Sequence, residues 1–329
     1  MRFAVPLALL TVCGLHTASQ PAQAQAQYPT RHVTLVVPFA AGGPNDVMSR
    51  IVAGHMSRTL GQTVIVENVS GAGGTIGAAR VASSAPDGYT LVSGHVGTHA
   101  AAPALYPNLR YDPVADFVPV GLVAETPILI ATKRELPVTT FATFASLAKE
   151  RGAGLTMGHA GVGSISQISC LLLNAALGIK PTEVAFRGSA PAMTDLLAGH
   201  YDVTCALLVD ALPYLASDQL RFLAVSAPAR VPQAPTVPTA SEAGLPQFVA
   251  SSWFAFFLPR ATPDAIRDRL AAALQSALDD ASVRGRLETA GLIVPAAEQR
   301  TREAFRHRMK ADIERWSEIV RNAKIQLGP

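Results

Sequence analysis

Residues 33–60 read VTLVVPFAAGGPNDVMSRIVAGHMSRTL, and their pattern predicts a strand, a glycine loop and a helix in immediate succession. The apolar, β-branched run 33–37 suits a strand buried on both faces. Residues 38–43 form a loop of mostly small side chains that would leave a ligand unobstructed. Beyond it, Val47, Met48, Ile51, Val52, Met56 and Leu60 recur three to four apart, the spacing of one helical face. Gly61 is placed to end that helix in a left-handed conformation. In such a unit the unpaired N–H groups of the first helical turn point at whatever lies above the strand end. That makes an anion site, open to a carboxylate as much as to a phosphate. The same residues also fit an ordinary first βα turn, in which the glycines serve only the chain reversal. No Walker A lysine follows and no G-x-G-x-x-G fits, which argues against a nucleotide.

Outward from this unit the same grammar repeats. A second strand over 63–68 leads to a second glycine loop, 71–77, in which Ile76 stands where a dinucleotide fingerprint needs its third glycine. Pro86-Asp87-Gly88 is a turn; a third strand follows over 89–93, ending in an open loop with Gly94, His95, Gly97 and Thr98. Two apolar runs, 118–124 and 127–132, are separated by Glu125-Thr126-Pro127, predicting a strand that leaves one domain and a connection that enters another. The opening pattern then recurs: a strand over 155–158, a small-residue loop with Gly161, Gly163 and Ser164, and a helix over 165–177. A strand over 183–186 ends at Arg187-Gly188-Ser189, and strands over 202–208 and 221–226 follow. After a proline-rich segment, 228–246, residues 253–258 form a strongly apolar strand. Thr262-Pro263 reads as an N-cap with proline at N1, and two C-terminal helices close the chain.

This arrangement predicts an α/β protein of two domains, each a mostly parallel sheet flanked by helices. The expected divisions are 27–124 plus 252–329 for the first domain and 125–251 for the second. Glycine loops at the strand ends of both would face one another across a cleft. That is the architecture of a periplasmic binding protein hinged at its crossings, a Venus flytrap acting as a monomer.

The chain has 329 residues, is 49% hydrophobic and 16% charged, and carries a formal net charge of +3. Residues 1–26 have the form of a secretory signal peptide: Arg2, a short apolar core, and small-residue cleavage sites at 22–24 or 24–26. Cys13 faintly suggests a lipoprotein box, but Val12 is bulky where a small residue is expected. Cleavage would remove Arg2 alone from the charge count, leaving +2, too weak and dispersed for nucleic acid. An exported, periplasmic location is therefore expected. Two cysteines would remain, Cys170 and Cys205; in an oxidising compartment they could form a disulfide, or stand as two buried thiols.

Several polar residues admit two readings. Arg187 could pair a carboxylate bidentately or make a surface or interdomain ion pair. Asp210 could hold a substrate amine, or cap the segment near Pro213. His95 and His99 lack the carboxylate or cysteine company of a metal site, so no metal and no cofactor is expected. Asp46, in the first helical turn, suits the helix dipole structurally. Phe254, Phe256 and Phe257 read as core. Ser164 has no G-x-S-x-G around it, there is no H-E-x-x-H, and no cysteine sits beside an activating histidine, so no enzyme is expected.

Taken together, VVPFAAGGPNDVMSR (36–50), VIVENVSGAGGTIGA (64–78), APDGYTL (85–91), YDPVADFVPV (111–120), FRGSAPAMTDLLAGHYD (186–202) and PTVPTASEAGLP (235–246) resemble the Bug receptors. These are the extracytoplasmic solute-binding proteins of tripartite tricarboxylate transporters. The resemblance runs in order through nearly the whole chain after residue 26. It implies a periplasmic-binding-protein fold of the second type, capture of a small organic carboxylate or amino acid, and delivery to membrane permease subunits. A receptor reporting to a membrane signalling partner is the alternative, and a secreted hydrolase a more distant one. By the same resemblance one carboxylate is held around Phe39, Ala40, Gly42, Gly43, Asn45 and Asp46. Gly94, His95, Gly97 and Thr98 would contribute next, with Gly161, Gly163 and Ser164, and then Arg187, Gly188, Ser189 and Asp210 from the second domain. The chain departs from the family pattern at His159, where serine is usual, at Gln167, where histidine is common, and at Phe186-Arg187, where Tyr-Lys is typical.

Overall fold

The computed structural model describes residues 28–248 and 250–322; the expected signal peptide lies outside the described residues. The opening unit is β1 (Val33–Val37), a loop, and α1 (Pro44–Leu60), which ends with Gly61 at φ 72°. Its sheet continues through β2 (Val64–Asn68), α2 (Thr75–Ala82), β3 (Thr90–His95) and the short α3 (Ala102–Leu105). Strand β4 spans Phe117–Lys133, followed by α4 (Phe141–Arg151), β5 (Thr156–His159), α5 (Ile165–Leu177), β6 (Thr182–Ala185) and α6 (Ser189–Leu197). Then come β7 (Val203–Leu207), α7 (Leu208–Ala211), β8 (Leu220–Val225), β9 (Ser251–Pro259), α8 (Asp264–Asp279), α9 (Ala281–Thr289) and α10 (Arg302–Asn322).

The strands lie in the order β2-β1-β3-β9-β4-β7-β5-β6, with β8 also on β4. β1 runs parallel to β2 and β3, and β5 parallel to β6 and β7; β9 and β4 join the two groups by antiparallel pairing. β4 is the element that spans both groups. Its residues 117–127 pair with β9, and from Ile128 onward it pairs with β7 and β8. The interruption expected at Glu125-Thr126-Pro127 is absent: the strand runs on through Pro127. That proline stands where pairing passes from β9 to β7, a position at which a missing N–H is tolerated in a ladder. Glu125 is held on its other side by two backbone bonds to Ile293 (2.8 and 2.7 Å).

The core lies under the sheet and its helices. Leu35, Val36 and Val92 from the strands meet Met48, Val52 and Met56 from α1, and Leu270, Leu274 and Leu278 from α8, all buried. The C-terminal helix returns to β4 and β9: Trp253 Nε1 donates to Asp312 (2.8 Å) and Arg308 pairs with Glu125. Three local expectations are revised. Thr262 does not cap α8; its hydroxyl donates to the Pro259 carbonyl (2.8 Å) and Pro263 is the capping residue. The loop after β3 is a compact π-helical turn, Gly97–Ala101, fully buried. α9, with a weak apolar face, had no counterpart in the sequence reading. Cys170 and Cys205 are free buried thiols, the Cys170 sulfur accepting from the Cys205 N–H (3.1 Å).

Candidate functional site

The C-terminal ends of β1, β3, β5, β6 and β7 converge on one cavity, where an open α/β sheet ordinarily receives its ligand. The cavity and its open mouth together hold ≈ 560 Å³ of empty space. Three helices begin at its wall: α1 at Gly43 and Pro44, α5 at Ser164 and Ile165, and α6 at Gly188 and Ser189. Each leaves backbone N–H groups of its first turn without an intrahelical acceptor, and each carries the positive end of its dipole there.

The α1 terminus is built from the glycine loop outward. Gly42 takes φ 83°, a left-handed conformation that a side chain would strain. Its N–H donates to Asp46 (3.0 Å), which also accepts from Arg50 Nε (2.9 Å) and Asn68 (2.9 Å). Burial pushes the Asp46 carboxyl up, but the bonds from Arg50, Gly42 and Asn68 outweigh it and hold the carboxyl below its usual range. Asp46 thus fixes the loop and does not line the cavity. Asn45 does line it, yet its amide is committed to scaffolding: it donates to the Ser93 carbonyl (2.8 Å) and accepts from the Ser93 and Ser49 hydroxyls.

From β3, His95 enters the cavity between Phe39 (ring centroids 4.8 Å) and Phe254 (6.3 Å). The Gly97 N–H donates to His95 Nδ1 (2.7 Å), which places the ring proton on Nε2. Burial pushes its pKa down to about 3, so the ring is neutral and offers a single N–H. Gly94, Gly97 and Thr98 do not line the cavity. A β-carbon on Gly94 would lie 2.4 Å from the His99 ring, and the Thr98 hydroxyl bonds the His95 carbonyl (3.1 Å); these residues hold the histidines.

Across the cleft Ser164 caps α5, accepting from the Gln167 N–H (3.3 Å) and contacting the Ser166 hydroxyl (3.0 Å). Gly163 donates to the Gln167 side chain (2.7 Å), whose amide donates to Glu183 (2.7 Å); His159 Nε2 lies 3.4 Å from the same carboxylate. The His159 bond, followed by that of Gln167, holds the Glu183 carboxyl below its usual value against the effect of burial. The departures from the family pattern at His159 and Gln167 therefore sit in one network that braces the 161–163 loop, with Glu183 as its common acceptor. Arg187 is exposed and lines a neighbouring recess with Gly161 rather than the cavity. Gly188, Ser189 and Asp210 do line the cavity. Asp210 does not cap the segment at Pro213: the turn Leu212–Tyr214 has Ala211 as its N-cap and no side-chain cap bond. Desolvation raises the Asp210 pKa to about 7, against a lowering contribution from Ser189.

Of the residues expected to touch ligand, Phe39, Ala40, Gly43, Asn45, His95, Ser164, Gly188, Ser189 and Asp210 are thus brought together. Sequence reasoning missed Ala41, Pro44, Ala160, Ile165, Ser166, Ala190, Leu207 and Phe254. Ser166, two residues after a helix cap, was the one with a readable signal. Phe254 looked like core because it is core: it is 2% exposed, and it also lines the cavity. The two sides touch beyond the cavity, where the Tyr106 hydroxyl donates to the Val162 carbonyl (2.8 Å). Among the described residues no cluster of three potential metal ligands occurs, and no helix is long and apolar enough to cross a membrane.

Parallel strand ends facing a shared cleft, with helix N-termini aimed at one small cavity, define a solute-binding protein. A family model described as "Tripartite tricarboxylate transporter family receptor" matches residues 48–325, and the chain belongs to that family. It is 42% identical over 302 residues to a UPF0065 protein of the TAR-I ttuE-ttuC' intergenic region of Agrobacterium vitis, covering 92% of this chain and 87% of that one. MatC from Rhodopseudomonas palustris, solved with bound malate, superposes with a TM-score of 0.86 at 45% identity over 89% of this chain and all of that one. Rpa4515 of R. palustris, solved with adipate, gives 0.86 at 35% identity over 91% and 99%. The fold class and family expected from the sequence motifs are therefore those of the protein.

Proposed function

We propose that this chain is exported to the periplasm, captures a small organic carboxylate in its cleft without chemical turnover, and passes it to the permease subunits of a tripartite tricarboxylate transporter. The observation that carries the reading is the cavity wall: three helix N-termini and the neutral His95 N–H converge on one space. Oriented dipoles of this kind hold an anion at little reorganisation cost. A carboxylate would sit against the α1 terminus at Gly43 and Asn45, with Ser164 and Ser189 closing from the other side. The bodies 27–124 plus 252–329 and 125–251 would close about the crossings formed by β4 and β9. The malate and adipate bound by two relatives support the carboxylate class.

The test is a thermal-shift screen of organic acids and amino acids against their neutral amides and esters. A ligand that binds only the native state at 100 times its Kd adds roughly 2.7 kcal/mol, a rise of about 5–10 °C for a protein of this size. Equal shifts from acids and neutral analogues, or recovery of chemically altered ligand, would refute the reading.

A further inference from the structure

The cavity has an unusual charge balance for an anion receptor. Among the described residues no lysine or arginine lines it, His95 is neutral, and Asp210 is the one lining residue able to carry a formal charge. A carboxylate at the α1 terminus is accounted for by dipoles. A ligand with a second carboxylate, however, brings another negative charge into a small desolvated space that already holds an acid. Two carboxylates confined together do not both ionise; one retains a proton.

We propose that Asp210 is the specificity-determining residue of this cavity, and that it meets the far carboxylate of a diacid as a carboxylic acid, the two groups sharing one proton taken up from solvent on binding. This rests on the carboxylate reading above and goes beyond it by assigning the ligand's second end.

The surroundings of Asp210 favour the protonated form. Desolvation in the cavity wall raises its carboxyl to about 7, and outweighs the opposing pull of the Ser189 hydroxyl on α6. The other titratable groups on the elements packed around it do not supply a compensating cation. His95 on β3 titrates far below neutral pH, and Tyr201 before β7 is pushed upward, chiefly by burial. Asp195 on α6 pairs with His200 (3.5 Å), and Tyr214 lies in the turn that follows α7. On β4, Glu125 is taken by Arg308 and Lys133 by Asp202 (2.8 Å). A second anion would thus drive the Asp210 proton on more firmly. A ligand amine would do the opposite and hold Asp210 ionised.

The experiment is calorimetric titration of the full mature chain with malate between pH 6 and 8.5, in two buffers of different ionisation enthalpy, for wild type and Asp210→Asn. If the diacid binds only the protonated form of a group titrating near 7, affinity falls about tenfold from pH 6 to pH 8 by proton linkage. Wild type should take up close to one proton per malate at pH 8, a measurement that needs no variant. Asp210→Asn, a permanently neutral isostere, should take up none and bind with a pH-independent Kd. A flat wild-type profile without proton uptake would overturn the proposal. So would a greater than tenfold loss of malate affinity in Asp210→Asn at every pH. Aspartate binding that strengthens with pH and vanishes in Asp210→Asn would assign the residue to an amine and overturn it as well. Failure of every carboxylate to bind wild type would instead bring down the carboxylate reading itself, and this inference with it.

Discussion

Replacing Gly73 by alanine should weaken ligand binding far more than it weakens the fold. Gly73 lies in the loop before α2 at φ 62°, and a β-carbon there would stand 2.5 Å from the Tyr106 hydroxyl and 2.6 Å from the Val162 carbonyl oxygen. Tyr106 belongs to the same side of the cleft and ends in a side chain that can swing. Val162 is backbone from the opposite side and can yield only if the 161–163 loop withdraws. An alanine in left-handed conformation costs about 1–2 kcal/mol, a penalty present whether the cleft is open or closed. The clash across the cleft is different in kind, because it exists only when the two sides meet. Relieving it forfeits the Tyr106–Val162 hydrogen bond, worth about 0.5–1.5 kcal/mol, and some packing, so the closed form should lose about 2 kcal/mol relative to the open one. At 1.4 kcal/mol per tenfold, apparent affinity for the tightest-binding acid should fall roughly 30-fold. The assay is calorimetric Kd set beside the ligand-free melting temperature. Tyr106→Phe, which removes the hydrogen bond without adding bulk, should lower affinity by about 2- to 10-fold. An unchanged Kd with a large drop in ligand-free stability would refute the reasoning and make Gly73 purely a turn residue.

Other outcomes follow from the same geometry. Asp46→Ala strands the Gly42 N–H, Asn68 and Arg50 and should cost about 2–4 kcal/mol by urea unfolding. Because the folded Asp46 pKa is depressed, its stabilisation is complete above the ordinary aspartate value of about 3.9. It is lost as pH falls through the lower folded value, so the wild-type advantage over Asp46→Asn should shrink in that acid window. Gly43 sits at an ordinary φ of −78°, and a β-carbon there would meet only the Ser189 hydroxyl and the Ala40 carbonyl at 3.5 Å. Gly43→Ala should therefore fold and bind nearly normally, whereas Gly43→Val, whose branches enter the cleft, should lose affinity by more than tenfold with little change in melting temperature. Equal loss of both would assign Gly43 to the turn alone. Intact-mass measurement of the exported protein should give a chain beginning at Gln25 or Gln27; retention of residues 1–24, or a diacylated Cys13, would contradict the expected cleavage.

Local patterns along the chain were enough to specify the elements and their kind. Apolar runs of five or six residues alternating with helical spacing over 44–60, 165–177 and 264–279 left little freedom, since each pattern buries its face in only one backbone geometry. Glycine loops after β1 and before α5 marked the wall of the cavity for the same local reason. Motif order through the chain was enough to name the family. Which polar side chains face the cavity and which serve the scaffold depended on how the elements pack in three dimensions. The family resemblance placed both Asp46 and Arg187 at the ligand, yet one is folded into a network with Arg50 and Asn68, as its place in the first helical turn suggested, and the other is exposed beside a different recess. Asp210 admitted both a ligand contact and a local cap, and β4 read as broken at Pro127. The sequence left the first open and misread the second because what a carboxylate or a proline does depends on partners distant in sequence. Asp210 meets Ser189 from another helix, and Pro127 stands where β4 changes partner from β9 to β7. Side-chain direction relative to a cleft is set by how elements pack against one another, and local periodicity carries no record of it.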